Sequence, residues 1–161
     1  MTVTATGYRA VAAGKLATMV SQSATFISRT GAINAAGALL HVHYPWTKNK
    51  AAVRPCAIIT PMGLTTELNS DMTFLPSGSL QLRLLDTTKF DDKAEALDDF
   101  INFCDGVLAD ILEISRTNTT GLLTIQGTSD EGPAEVKVEE NSEWNGWYAN
   151  IIEIQWAPFQ G

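Results

Sequence analysis

No apolar stretch in this sequence approaches the ~20 residues that a membrane-spanning helix requires. Cysteine is scarce as well. The two that occur are Cys56, in an apolar strand-like segment, and Cys104, in an amphipathic helical one. Both sit where a small buried hydrophobe would sit, and neither belongs to a Cys-x-x-Cys pair. Two isolated cysteines leave a single bridge open but do not make a disulfide-stapled secreted scaffold. The start, Met1 to Arg9, lacks the basic region and apolar run of a signal peptide, so a soluble protein made in the cytoplasm is expected. Basic charge is in short supply: 11 Lys plus Arg stand against 18 Asp plus Glu, a formal net charge of −7. No basic run offsets it, and an acidic chain repels phosphate backbones, which argues against a sequence-reading nucleic-acid binder. Gly-x-Gly-x-x-Gly and Walker-type Gly-Lys-Ser/Thr loops are missing, as is the Gly-x-Ser-x-Gly nucleophile elbow.

What is present is an ordinary globular composition. The chain has 161 residues, 45% of them apolar, enough for one domain spanning 1–161 with a real core. The strongest local signal lies near the end, where two alternating segments, Glu135 to Trp144 and Trp147 to Trp156, flank Asn145-Gly146. Asn-Gly between alternating runs predicts a β-hairpin. A plain two-residue loop would oppose Val138 to Glu153 and mix apolar with polar side chains. A three-residue loop with Gly146 in a G1 bulge shifts the register by one. It sets Val138 against Ile152, Val136 against Ile154 and Ser142 against Tyr148. The bulged register is the expected one.

Earlier segments are read in turn. Gly7 to Ser23 is Ala-rich with Val11, Leu16, Met19 and Val20 at helical separations, weakened by Gly14. Ala24 to Ala38 is ambiguous: Phe26-Ile27-Ser28 has strand character, and Gly31 and Gly37 punctuate a connection. Strands are expected over Leu39 to Tyr44 and over Val53 to Thr60, with Pro55 at the beginning of the second or on an edge. Pro61 to Gly78 reads as a long loop, with a short strand near Met72 to Leu75 as an option. Loops this long are often functional, which marks it as an interaction arm. Ser79 to Leu85 alternates with Leu80, Leu82 and Leu84 on one face. The principal helix is expected over Asp91 to Ile114, with Ala94, Leu97, Ile101, Cys104, Leu108 and Ile111 as its stripe. Thr88 and Asp91 resemble a capping box at its start. Leu122 to Gly127 is another strand. The order predicts an α+β fold: a mostly antiparallel sheet with two helices packed on one face and a C-terminal β-hairpin.

Candidate chemistry is thin. His41 and His43 fall on the same side of a strand and form a feasible pair of metal ligands, but no third ligand stands at suitable spacing. The plainer reading is a polar patch near a sheet edge or subunit contact. The acidic pairs Asp91/Asp92, Asp98/Asp99 and Glu139/Glu140 read as solvated faces before they read as acid–base pairs. No enzymatic activity, cofactor or metal site is expected. Tryptophan is more suggestive, because it concentrates in interface hot spots. Trp46 falls in a loop tip and reads as an interface residue. Trp144 and Trp147 read equally as interface residues or as a cross-strand aromatic contact, and Trp156 is read as core. Together with Glu67, Asp71, Met72 and Phe74 of the long loop, Trp46, Trp144 and Trp147 are the candidate contact residues.

The N-terminal helix, the Tyr44-Pro45 turn, the strand Arg54-Pro-Cys-Ala-Ile-Ile59, the Leu80-to-Leu85 strand, the Phe90-to-Leu112 helix and the closing aromatic hairpin together resemble tail terminator proteins of tailed bacteriophages. The resemblance is one of element order over most of the chain. It implies a virion component of the tail and neck, made in the host cytoplasm, that forms a homo-oligomeric ring of six subunits. Such a ring caps the tail tube, ends its polymerisation and docks to a neck or connector protein. DNA would pass through without specific binding, and an acidic lumen suits that passage. Two alternatives stay open: another tail or neck part, such as a tube subunit or completion protein, and a small α+β enzyme or ligand-binding domain in which His41, His43 and a carboxylate converge.

Overall fold

The computed structural model describes residues 7–43, 55–68, 74–89, 94–117, 124–125, 137–138, 142–144 and 147–157. The chain begins with helix α1 (Tyr8–Gln22), whose Ala12, Ala13, Leu16, Ala17, Met19 and Val20 are buried. The Ala-rich stretch expected to be helical is helical. A single extended residue, Ser23, then separates it from α2 (Ala24–Thr30), and α3 (Ala35–Leu39) follows. The strand character read into Phe26-Ile27-Ser28 is overruled by local chemistry. The Ser23 hydroxyl caps α2 by accepting from the Phe26 amide, and Gly31, at φ 74°, closes it in the left-handed conformation. Phe26 is fully buried and stacks on Phe103, 6.4 Å between ring centroids. Among the described residues four helices therefore stand where the sequence suggested two.

The strands form one mixed sheet in the order β1-β2-β3-β7-β4, with β5 and β6 also pairing β7. Strand β1 (Val42–His43) runs parallel to β2 (Cys56–Leu68), which corrects the expectation of a mostly antiparallel sheet. The remaining pairs are antiparallel: β2 with β3 (Phe74–Lys89), and β3 with β7 (Trp147–Ala157). Short β4 (Thr124–Ile125), β5 (Lys137–Val138) and β6 (Ser142–Trp144) lie along the far side of β7. Strand β1 starts at Val42 rather than at Leu39, which ends α3 instead.

Near the chain's end two registers coexist. Val138 faces Ile152, as apolar matching requires, while Ser142 faces Ala149 rather than Tyr148, and Trp144 faces Trp147. The one-residue shift thus falls between β5 and β6, and residues 145–146 lie outside the described residues.

Helix α4 (Ala94–Thr117) runs three residues past the expected Ile114, its expected start at residues 91–93 lies outside the described residues, and Thr88, read as its cap, belongs to β3. Its buried line is Phe100, Phe103, Cys104, Val107 and Ile111, with Leu108 and Leu112 packed alongside. All four helices cover one face of the sheet. Ala57 and Ile59 of β2, Leu80, Leu82 and Leu84 of β3, and Ile152, Ile154 and Trp156 of β7 share a single apolar cluster with them. This is the period-two alternation expected of strands with one buried face. On the opposite face Cys56, Ile58 and Leu85 make a small second cluster, beside half-buried Gln81, Arg83, Ile151 and Glu153.

The largest departure concerns Pro61 to Gly78. This segment is not a loop: β2 and β3 continue through it as a ladder pairing Leu64 with Gly78, Thr65 with Ser77, Thr66 with Pro76, Glu67 with Leu75 and Leu68 with Phe74. A register shift between Pro61 and Leu64 disrupts the apolar alternation, so the sequence conceals the strands. Strand β7 stops at Gly78, and the two-stranded arm runs on past it for roughly 17 Å at ~3.4 Å per residue.

Candidate functional site

Three places concentrate polar or unpaired groups. The first is the seam between α2 and α4. Ser23 donates its hydroxyl to Asp110 Oδ2 at 2.6 Å, and the Thr25 amide donates to the same oxygen at 3.1 Å. A carboxylate is thereby set at the positive end of α2. Burial pushes the Asp110 carboxyl up, but these hydrogen bonds outweigh it and hold the group below the usual carboxylate range. One turn on, Arg29 donates to Asp86 with both Nε and Nη2, and its Nη2 lies 2.7 Å from Asp99. The guanidinium also lies over the Phe103 ring, 5.3 Å from its centroid. Asp86, Asp99 and burial act together on Arg29, and the carboxylates, Asp86 foremost, raise it above its ordinary value.

Thr25, Ser28, Arg29, Asp99, Asn102 and Phe103 line an open groove of about 540 Å³ over this seam. The charge of Arg29 is taken up by two carboxylates, so the groove carries no surplus cation for a phosphate or an acidic ligand. Its evident work is structural. Arg29 ties α2 to β3 through Asp86 and to α4 through Asp99.

The second place is the histidine pair. His41 Nδ1 lies 2.8 Å from the Pro55 carbonyl and must donate to it, which fixes its tautomer. His43, on β1, has Nε2 buried without a hydrogen-bond partner among the described residues. Burial, and then the charge of His41, pull His43 below its ordinary pKa. Among the described residues no three His, Cys, Asp or Glu side chains gather into a metal-binding group.

The third is the arm. Among the described residues β1 pairs only with Ala57 and Ile58 of β2, so the outer edge of β2 runs on unpaired toward Leu68. At the base of the arm Arg9 Nη1 reaches the Met62 carbonyl at 3.5 Å. Gly78 and Trp156 form the joint there. A Cβ on Gly78 would lie 2.6 Å from the Gly63 carbonyl and 3.0 Å from Trp156 Nε1, so only glycine lets the indole and the bulged strand close over β3.

The contact candidates divide as follows. Glu67 and Phe74 stand on the arm, in β2 and β3. Trp144 and Trp147 are direct cross-strand partners on β6 and β7, while Trp156 is core at 1% exposure. Trp46, Asp71 and Met72 lie outside the described residues. Sequence reasoning missed Arg29 and Asp86, yet a signal existed. Asp86 continues the parity of Leu80, Leu82 and Leu84, and an acid on the buried face of a strand demands a cation.

Cys104 is a reduced thiol pushed well up, by burial first and by Asp105 and Asp86 next; Cys56 is reduced and buried too. No helix among the described residues is long and apolar enough to cross a membrane. The chain matches no protein-family model and no curated protein sequence.

Proposed function

We propose that this chain is a structural component of a tailed-phage virion, a tail terminator-like subunit. Six copies close into a ring that caps the last layer of the tail tube, ends its polymerisation and docks to the neck or connector. The observation that carries this reading is the β2–β3 arm: two strands standing beyond the sheet, with backbone donors and acceptors along an outer edge. A two-stranded ribbon is marginal in water by itself, and a third strand or a packed surface stabilises it. An edge of this kind is the usual seat of strand-to-strand association between chains. The net charge of −7 supports the same reading, since DNA passing a ring should not be gripped by it.

The test is assembly. Native mass spectrometry and negative-stain microscopy of the purified chain should show closed rings, and added rings should halt growth of purified tail tubes. Open stacks of indefinite length would instead identify a tube subunit. A persistent monomer that ignores tubes, and that takes up a divalent metal lost on replacing His41 and His43, would favour the enzyme or ligand-binding alternative.

A further inference from the structure

Strand β7 meets a change of register on both of its flanks. On one flank β5 sets Lys137 against Glu153 and Val138 against Ile152. Beside it β6 sets Ser142 against Ala149, Glu143 against Tyr148 and Trp144 against Trp147. From Val138 to Ser142 the chain advances four residues, while the partners Ile152 and Ala149 stand three apart. One residue is therefore taken up without a partner on β7, although residues 139–141 themselves lie outside the described residues. On the other flank β3 pairs Leu85 with Ala149 and next Lys89 with Trp147, four residues against two. Both neighbours thus lose step with β7 over the same stretch, Trp147 to Ala149. From Ala149 to Trp156, by contrast, β3 and β7 pair residue for residue.

An offset of one residue also exchanges the two sets of alternating positions. Val138 matches Ile152, which belongs to the helix-facing set. Ser142 and Trp144 have the parity of Val138, yet they match Ala149 and Trp147 of the other set. Neither register satisfies the whole segment. Carrying the Val138–Ile152 register through to the turn would give one continuous strand, with Ser142 against Tyr148 and Glu143 against Trp147. Its gain is an unbroken ladder. Its loss is the tryptophan pair, because Trp144 then joins a three-residue loop with Asn145 and Gly146. The observed register keeps Trp144 opposite Trp147, a favourable cross-strand pairing, and gives up one residue of ladder. The turn sequence does not decide between them. Asn-Gly suits a two-residue type I′ turn, and glycine in the left-handed position suits the three-residue loop with a G1 bulge.

We propose that β6 is a two-register strand that slides by one residue along β7 while β5 stays in place. In the first state Ser142 faces Ala149 and Trp144 faces Trp147; in the second Ser142 faces Tyr148 and the tryptophans no longer oppose one another. The surplus residue moves from the β5–β6 junction to the turn, so both states accommodate the same length of chain. The slide makes the Trp144–Trp147 pair, a contact candidate, a property of one state alone. A ligand that engages the pair selects that state. The device is independent of the ring reading.

Disulfide trapping tests this on the full-length chain, with Cys56→Ala and Cys104→Ala as background. Directly opposed residues can be bridged, whereas an offset of one turns the Cβ atoms to opposite faces and forbids it. Ser142→Cys with Ala149→Cys reads the first state, and Ser142→Cys with Tyr148→Cys the second. Val138→Cys with Glu153→Cys asks whether β5 slides too. Circular dichroism confirms that each variant folds. In a glutathione redox buffer the first two pairs should both close, with equilibrium constants within roughly a hundredfold of each other. The third should stay open. Deleting Glu140 removes the surplus residue, so the second pair should then close roughly tenfold less, or worse, relative to the first. Closure of only one of the first two pairs overturns the proposal. So does equal closure of the third, or a second pair that closes as readily after the deletion. The unaltered chain answers without cysteines: Ser142 to Trp144 should show doubled or exchange-broadened amide resonances. A single sharp set whose contacts fit one register alone overturns the slide.

Discussion

Asp86 is fully buried on the helix-facing side of β3, and Arg29, a quarter exposed, reaches it from α2. A carboxylate in that position is tolerable only while a cation and hydrogen bonds compensate for lost hydration. Replacing Arg29 with Met should therefore lower stability by roughly 3 kcal/mol, the low end for a broken buried pair because Arg29 keeps some solvent. Urea denaturation reads this directly, and adding Asp86→Asn to the same chain should recover part of the loss. Gly78→Ala acts by crowding: its Cβ would strike the Gly63 carbonyl and the Trp156 indole, costing about 1–3 kcal/mol by the same assay.

His43 gives a pH signature. Its folded pKa lies below the ordinary 6.5, so the unfolded chain binds the proton more readily. The stability it contributes is whole above pH 6.5 and is lost as pH falls through the folded pKa. The melting temperature should drop as pH falls below 6.5 and level off once it passes the folded pKa, and His43→Gln should flatten that slope. Asp110 shifts in the same direction from its own ordinary 3.8, so its contribution disappears only in stronger acid.

Among the elements, the arm and the short helices show how tertiary contacts overrule local preference. Phe26-Ile27 carries strand propensity, but Ser23 and Asp110 cap a helix there and Phe103 receives the phenyl ring. Gly106 lets this helix approach: a Cβ at that point would lie 2.9 Å from Thr25 Cγ2. The arm behaves as an appendage, because the pairing of β3 with β7 ends at Gly78 while β2 and β3 pair on to Leu68 and Phe74. Replacing Leu64 to Ser77 with a short glycine-containing turn should leave the far-ultraviolet dichroism of the helices intact. The melting temperature should move by only a few degrees, on the scale of about 1 kcal/mol, while self-association disappears. Loss of folding along with the arm would mean that the core depends on it.

At the scale of the whole molecule, two layers and a charge polarity define what the chain can present. The helices seal one face of the sheet, while net charge is uneven along the chain, +6 over residues 1–66 and −13 over residues 67–161. An assembly directed by such charges weakens with salt, since the Debye length contracts from about 10 Å at 0.1 M to about 3 Å at 1 M. Sedimentation across that range should show a rising dissociation constant. An interface held by apolar burial alone would hold or tighten instead.

Period and composition were enough to determine which residues are covered and what broad class of fold results. Leu80, Leu82 and Leu84 declare a strand with one buried face, the Leu97-to-Ile111 spacing declares a helix, and Val138 opposite Ile152 follows from matching apolar faces. These features depend on residues close together in the chain. Only the tertiary structure decided that Phe26 sits in a helix, that β1 runs parallel to β2, that Arg29 answers Asp86, and that Pro61 to Gly78 is a paired arm. Each of those depends on a partner far along the sequence: Asp110 for α2, Leu80 to Leu85 for β2, Trp156 for Gly78. Local pattern encodes burial, whereas pairing is fixed by whichever distant segment satisfies the hydrogen bonds and the charge.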